Sequence, residues 1–493
     1  KKDSIIEIGA VKFRGDRIED EYTTLINPGC RIPHSITQLT GITDTMVADA
    51  PTLISELAHV VQFISDAPVV GHNIRFDLGF FRQHQVLTLN PVLDTFDLAS
   101  VLLFSAGRYS LGSLTAELGI ALPASHRALD DARATWAVYR ALFARALELP
   151  LDTLKEIVRL GKHVDWGGDQ AFQEALQTRS NDIGVSSSRS TFEYSTSLFA
   201  DAASERESYH SPLGRPLQPS SSPTALDLKQ LESLFTPGGE LQYHFDKYEY
   251  RLEQVAMMRS VAQALSDQHH LLAEAGTGTG KSLAYLIPAI QWARQNGLRV
   301  VVSTNTVNLQ DQLIKKDLPA LQKALGLQFH AALLKGRSHY ICPRRLERLR
   351  SIGPRANEEM RVLAKLLVWL PQSETGDRSE LTLSGARELA VWQRLSAEDE
   401  GCTTERCASQ LGGICPFYRA RRAAENAHVI VVNHALLLAD VASENRVLPE
   451  YRYLVLDEAH HLESATTHGL SSTARQTVFE RRLKDLGGLN SGL

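Results

Sequence analysis

The sequence predicts an α/β protein with two globular regions, and three observations carry that expectation. Short apolar runs of strand character alternate with segments of helical periodicity in both halves of the chain. A glycine-rich loop sits between the apolar pair Leu271-Leu272, expected to end a strand, and a helical run, the setting a phosphate-binding loop requires. Between the two regions lies a stretch, about 178 to 224, dominated by serine and proline. The chain has 493 residues, 43% of them hydrophobic and 22% charged, enough apolar material for more than one core. At about 150 residues per domain that length suggests roughly three structural units. A formal net charge of -5 neither announces nor excludes a nucleic-acid partner, because a local basic patch matters more than the sum.

Residues 1–150 read as one α/β domain. A strand is expected at 5–11, a turn at Arg14-Gly15-Asp16 and a partner strand at 22–26. Residues 53–64 carry helical spacing, 67–71 form a short buried strand, and the Ala-, Leu- and Arg-rich run 130–147 is a closing helix. Residues 151–225 are expected to be a helical extension followed by a disordered, flexible linker marked by Ser186–Ser188, Ser220–Ser222 and Pro212, Pro216, Pro219 and Pro223. From 226 to 493 strand-like runs at 300–303, 429–432 and 453–456 alternate with helices, as in a parallel sheet with crossovers. An insertion, about 335–425, holds four of the five cysteines. The remaining one, Cys30, reads as a reduced, partly buried thiol.

The strongest motif is Glu274-Ala275-Gly276-Thr277-Gly278-Thr279-Gly280-Lys281-Ser282. Glycines let backbone N–H groups wrap the phosphates of ATP, and the helix N-terminus that follows adds positive potential. Lys281 reaches the phosphates and Ser282 offers its hydroxyl to Mg²⁺. Ala275 stands where a first glycine is usual. About 175 residues later an apolar strand delivers Asp457-Glu458-Ala459-His460, a Walker B arrangement in which Asp457 holds Mg²⁺ and Glu458 orients the attacking water.

This tetrad resembles the DEAH signature of superfamily 2 helicases. Three further segments resemble the DinG-type (XPD-like) iron–sulfur branch. Gln254 stands upstream of the loop where that family carries an adenine-reading glutamine, although on its own it also reads as a solvated helix residue. Val302-Ser303-Thr304-Asn305-Thr306 is similar to motif Ia, whose hydroxyls, Thr304 here, touch the DNA backbone. Val432-Asn433-His434-Ala435-Leu436-Leu437 is similar to the Asn-His element found before Walker B.

The cysteines follow Cys342-x59-Cys402-x4-Cys407-x7-Cys415. Four thiolates can hold Zn²⁺ or an iron–sulfur cluster, and spacing alone leaves both open, with free thiols a third reading. Their position between motif Ia and Walker B, after Lys335-Gly336-Arg337-Ser338-His339-Tyr340-Ile341, matches the resembled family, which implies a [4Fe–4S] cluster there. Lys335, Arg337, Arg344, Arg345, Arg348 and Arg350 crowd the first cysteine, and Arg419, Arg421 and Arg422 follow the last, with Tyr340, Phe417 and Tyr418 interleaved. Such a mixture suits single-stranded DNA, with Arg337, Arg344 and Arg345 the expected contacts; a solvated helix face is the alternative.

In the N-terminal region, Gly71-His72-Asn73-Ile74-Arg75-Phe76-Asp77 and His126-Arg127-Ala128-Leu129-Asp130-Asp131-Ala132 resemble the second and third motifs of DEDDh 3′–5′ exonucleases. Ile36–Ile42 and Asp94-Thr95 also match that family's pattern. The resemblance implies an RNase H-like fold and two-metal phosphodiester hydrolysis, with Asp77 and Asp131 on Mg²⁺ or Mn²⁺ and His126 as general base. The family's first motif, Asp-x-Glu, falls just before residue 5 and is not in this sequence; Glu7 is in the wrong place to replace it. The chain as given is therefore expected to be a weak nuclease or none.

Together the resemblances imply a RecA-like P-loop motor domain with an inserted Fe–S domain, joined to an exonuclease. The implied protein is an ATP-dependent 5′–3′ DNA helicase with a linked 3′–5′ exonuclease. It would be cytoplasmic and act on single-stranded DNA tails and forks, with RNA–DNA hybrids a further substrate class. An ATP-regulated exonuclease without unwinding and a non-enzymatic single-strand scaffold are the alternatives. No apolar run reaches the about 18 residues of a membrane span. The start is too short and polar for a signal peptide, and it carries no methionine. Only about thirty residues follow Asp457–His460, whereas a motor of this kind uses a second domain with an arginine finger. The chain is expected to be a fragment truncated at both ends.

Overall fold

The computed structural model describes residues 4–121, 127–182, 217–245, 248–276, 278–398, 402–403, 407, 415–471, 476, 479–480 and 483. The chain divides into two compact units. One comprises Lys1–Glu207 with Ser338–Pro416, the other Ser208–Arg337 with Phe417–Leu493. Among the described residues no helix is long and apolar enough to cross a membrane.

In the first unit β1 (Glu7–Arg14) and β2 (Arg17–Leu25) form an antiparallel hairpin whose turn uses Gly15 at φ 54°. The pairing register shifts between Lys12 and Phe13. β3 (Val69–Gly71) and β4 (Val92–Asp94) pair in parallel. The helix Ala128–Leu147 buries Ala134, Val138, Leu142 and Ala146, four positions at i, i+4 spacing that form one apolar stripe. Its N-terminus lies hard against β1, where a Cβ on Gly9 would sit 2.3 Å from the Ala128 carbonyl carbon and the Leu129 nitrogen. Backbone on both sides cannot yield as a side chain would. Gly9→Ala should therefore lower the stability of this unit by about 1–3 kcal/mol, read as a lower urea midpoint at unchanged slope.

The segment after Ser338 packs with the N-terminal residues in one continuous core. Leu98, Val101, Leu154 and Ile157 share that core with Met360, Leu363, Leu367 and Trp392. The helix Asn357–Trp369 lies against the helices Thr95–Leu102 and Leu151–Gly161. Nine of its residues are buried, more than one stripe can account for, so it is a central element with neighbours on several sides.

The second unit holds a parallel sheet of β5 (Val300–Thr304), β6 (Ala331–Leu333), β7 (Val429–Asn433) and β8 (Tyr453–Leu456), in the order β6-β7-β5-β8. β5 is buried throughout and β7 over Val429–Val432. That is why both read as unbroken apolar runs rather than alternating ones. The helices Leu252–Asp267 and Lys281–Asn296 pack together.

Two sequence expectations differ here. Leu271-Leu272 is not a strand: the residues are 41% and 95% exposed, and no described residue supplies the ladder partner that a strand needs. The Ser/Pro stretch is helical at its start, since Asp169–Asp182 is one helix. At its end it is tied to the second unit: the Ser220 amide donates to the Asn296 carbonyl (2.9 Å) and the Thr224 amide to Asn296 Oδ1 (2.7 Å). Residues 183–216 lie outside the described residues.

Candidate nucleotide, thiol and exonuclease sites

Gly278 and Gly280 adopt φ 83° and 77°, left-handed values that only glycine takes without strain. Gly280 caps the helix Lys281–Asn296, so the amides of its first turn face the loop. Thr279 Oγ1 donates to the Gly276 carbonyl (2.9 Å). Gln254 is not a solvated helix residue: it is 4% exposed and its Nε2 donates to the Gly280 carbonyl (2.9 Å), bracing the loop from below. A Cβ at Gly280 would strike that Nε2 at 2.1 Å. Ala275 is half-buried, Gly276 exposed, and Thr277 lies outside the described residues.

The Walker B pair meets this loop. Lys281 Nζ stands 3.3 Å from Glu458 Oε1. Tyr285, one turn further along the same helix, donates its hydroxyl to Asp457 Oδ2 (3.1 Å) and also hydrogen-bonds Ser282. Burial raises the Asp457 carboxyl, and the Tyr285 bond works against that rise. Glu458 has φ 54°, a conformation that costs a residue with a Cβ and that sets its carboxylate toward Lys281. The Asp457 amide donates to the Ser303 carbonyl (2.8 Å), and Ser303 Oγ is 2.8 Å from His434 Nδ1. The Asn-His element is thereby wired to Walker B through β5. Tyr285 escaped sequence reading, although an aromatic hydroxyl four residues after the loop lysine was a usable signal.

Thr304 requires correction as a strand contact. It is fully buried at the end of β5, so its hydroxyl cannot meet a phosphate there. Exposed Thr306 instead spends its Oγ1 on the Leu309 amide as a helix cap.

The four clustered cysteines are all buried, Cys342 5%, Cys402 8%, Cys407 9% and Cys415 2% exposed. Cys402 and Cys407 sulfurs are 3.8 Å apart. Burial pushes the Cys407 thiol up to about 12, and Cys402, Cys415 and Cys342 each add to the rise. Four thiols within electrostatic reach of one another and shielded from water cannot all ionise without a cationic centre among them, the donor chemistry of a thiolate-held metal group. Among the basic residues that flank the cysteines in sequence, Lys335 (2% exposed, 3.5 Å from Asp311) and Arg350 (5% exposed, paired with Glu156 and Glu347) are interior. Arg337 lies over the Phe417 ring at 5.0 Å. Arg344 and Arg345 are half-buried, and Arg345 donates to the Arg394 carbonyl.

In the first unit Asp77 is exposed on the helix Arg75–Arg82 directly after β3, and Asp131 is half-buried in the first turn of the helix Ala128–Leu147. His126 lies outside the described residues. Glu7 has a different employment from metal binding. Its Oε1 accepts from Arg127 Nε (2.9 Å) and Nη2 (2.6 Å), and its Oε2 from the Ala128 amide (2.9 Å). It thus fixes the segment between His126 and Asp131 onto β1. Asp94, at the end of β4, is pushed up to about 6 by burial and then by Asp97, against hydrogen bonds from the Phe96, Asn73 and Ile74 amides.

Residues 1–139 match the exonuclease family model, 256–352 the DEAD/DEAH box helicase model and 400–478 the DEAD_2 model. A Bacillus subtilis protein named 3'-5' exonuclease DinG is 33% identical over 99% of this chain and 51% of its own length. Staphylococcus aureus proteins of the same name are 28% identical over 93% of this chain and 48% of theirs. The chain thus spans about half the length of the curated relatives it matches. A solved exonuclease X in complex with 5′ overhanging duplex DNA is 27% identical, covering 29% of this chain and 83% of that one, with a TM-score of 0.24.

Proposed function

We propose that this chain, which joins an exonuclease domain to DEAD/DEAH-box and DEAD_2 helicase domains, works as an ATP-dependent DNA helicase with a linked 3′–5′ exonuclease. The observation that carries the motor half is the meeting of Lys281, Tyr285, Asp457 and Glu458 at one loop. Lys281 binds the phosphates, and its ion pair with Glu458 breaks as they enter. Ser282 and Asp457 would hold Mg²⁺, Tyr285 orients the Asp457 carboxylate, and the released Glu458 would orient water. Gln254, whose amide braces the loop, is the proposed adenine reader.

Cys342, Cys402, Cys407 and Cys415 are the residues that would hold a [4Fe–4S] cluster, which supplies a rigid cationic centre for the insertion. Arg337, Arg344 and Arg345 contact single-stranded DNA. Asp77 and Asp131 would hold Mg²⁺ or Mn²⁺ for 3′-end hydrolysis, with His126 as the base for water. Translocation runs 5′–3′ on single-stranded tails and forks in the cytoplasm, with RNA–DNA hybrids also accepted.

Protein of natural length, purified without oxygen, tests the reading. Iron and acid-labile sulfide should each come to about four per chain, and a forked duplex with a 5′ tail should separate only with ATP. Zinc in place of iron would remove the cluster assignment. Trimming of 3′ ends without any unwinding would favour an ATP-regulated exonuclease, and DNA binding without hydrolysis of either bond would leave a scaffold. Arg344→Ala with Arg345→Ala should lower strand affinity and flatten its salt dependence, the slope falling by about one to two; an unchanged slope would assign both residues to the fold.

A further inference from the structure

The turn that carries the second exonuclease motif hangs from a single corner of the first unit. Asp94 Oδ1 accepts from the amides of Asn73 and Phe96, each at 2.9 Å. Asn73 sits at φ 56° and opens the turn into the helix Arg75–Arg82, where Asp77 lies. The Asp94 amide donates to the Gly167 carbonyl (2.8 Å), and the Gly167 amide donates back to Asp97 Oδ2 (2.9 Å). The packing at this corner leaves no slack, since a Cβ on Gly167 would fall 2.3 Å from the Asp94 Cβ.

The remaining oxygen of Asp97 is taken from the cysteine-bearing insertion. Arg361, on the helix Asn357–Trp369, donates its Nη1 to Asp97 Oδ1 (2.6 Å) and its Nε to Glu388, and its guanidinium lies 5.2 Å over the Phe96 ring. Asp97 is 3% exposed and Glu388 fully buried. A buried ion pair does not by itself add stability over an apolar contact, whereas its fixed, directional bonds specify one arrangement. This one fixes residues 94–97, and through them residues 71–77, against an element more than 250 positions away in the sequence.

We propose that Arg361 is a positioning residue for the exonuclease centre, so that the folded insertion sets the geometry of the turn leading to Asp77. For its effect on cutting this rests on the exonuclease reading above; the structural coupling does not.

The test uses protein of natural length and the variants Arg361→Met, Arg361→Lys and Asp97→Asn. Hydrogen exchange in Arg361→Met should quicken by about tenfold or more in residues 69–82, 92–98 and 165–168. The hairpin 7–25 and the motor strand 429–433 should stay unchanged. Cutting of a 3′-ended single strand with Mn²⁺ should lose kcat by up to about 10²-fold with KM nearly constant, and Arg361→Lys should recover part of both readouts. Asp97→Asn, which keeps the acceptor for Gly167, should show the same pattern and serves if Arg361→Met does not fold. Unchanged exchange at 69–98, or loosening spread equally over residues 7–25, would overturn the proposal. If wild type cuts nothing, the exonuclease reading fails, and the exchange pattern still decides the coupling.

Discussion

Lys281→Ala should lower DNA-stimulated ATP hydrolysis by about 10²–10³-fold, the effect of removing one preorganised charge from a phosphoryl-transfer transition state, and should abolish unwinding. Two features keep this outcome free of a folding artefact. The Lys281–Glu458 pair is 29% exposed on both sides, a setting in which an ion pair adds only about 0–1 kcal/mol to stability. The loop is also braced independently by Gln254 and Thr279, so its shape does not depend on the lysine. In protein of natural length, trimming of 3′ ends should survive, because no exonuclease residue is shared with this loop. Measuring ATPase and strand trimming side by side separates the two activities. Hydrolysis within a few-fold of wild type would show that the loop is not the catalytic phosphate site. Tyr285→Phe should have a smaller effect in the same direction, since it removes only the hydroxyl's bonds to Asp457 and Ser282.

Glu388→Ala should destabilise the first unit by about 3–5 kcal/mol, the usual result of leaving buried charge without its partner. Glu388 is fully buried and joins Arg361, Lys365 (3.2 Å) and the Ser384 amide (2.7 Å). Lys365 is itself fully buried, donates to the Thr382 carbonyl (2.7 Å), and has its pKa lowered by burial against the pull of Glu388. Without the carboxylate it must shed its proton or drag water inward. The paired change Lys365→Met with Glu388→Leu removes one charge of each sign and leaves Arg361 with Asp97. It should recover most of the loss in urea unfolding followed at constant slope. Equal instability of the single and paired variants would mean that side-chain shape, not charge balance, holds this core.

Much of the chemistry was legible in sequence because it is local in sequence. A phosphate loop needs glycines, a lysine and a helix start within nine residues, 274–282, and backbone geometry then does the rest. Strands buried on both faces announce themselves as apolar runs, as at Val300–Thr304 and Val429–Asn433. The hairpin around Gly15 and the helix after Arg127 were legible for the same reason, since turn chemistry and periodicity act over a few residues.

What tertiary structure alone decided is partnership. Nothing in the sequence around Arg350 separates it from Arg344 or Arg345, yet burial against Glu156, 194 positions away, makes it a strut rather than a strand contact. Glu7 was set aside as a metal ligand from its place in the sequence, and the structure shows that it clamps Arg127 and Ala128. Thr304 looked like a DNA-facing hydroxyl and is interior. The insertion's helices pack with the N-terminal residues through Arg361 and Asp97, a match between two segments far apart in sequence. Sequence therefore determined the phosphate-loop motif and many of the strands and helices, because those follow from short-range backbone physics. Which charges are spent holding the fold, and which are left for a ligand, was decided by long-range burial, where the cost of an unpaired charge forces buried groups onto partners distant in sequence.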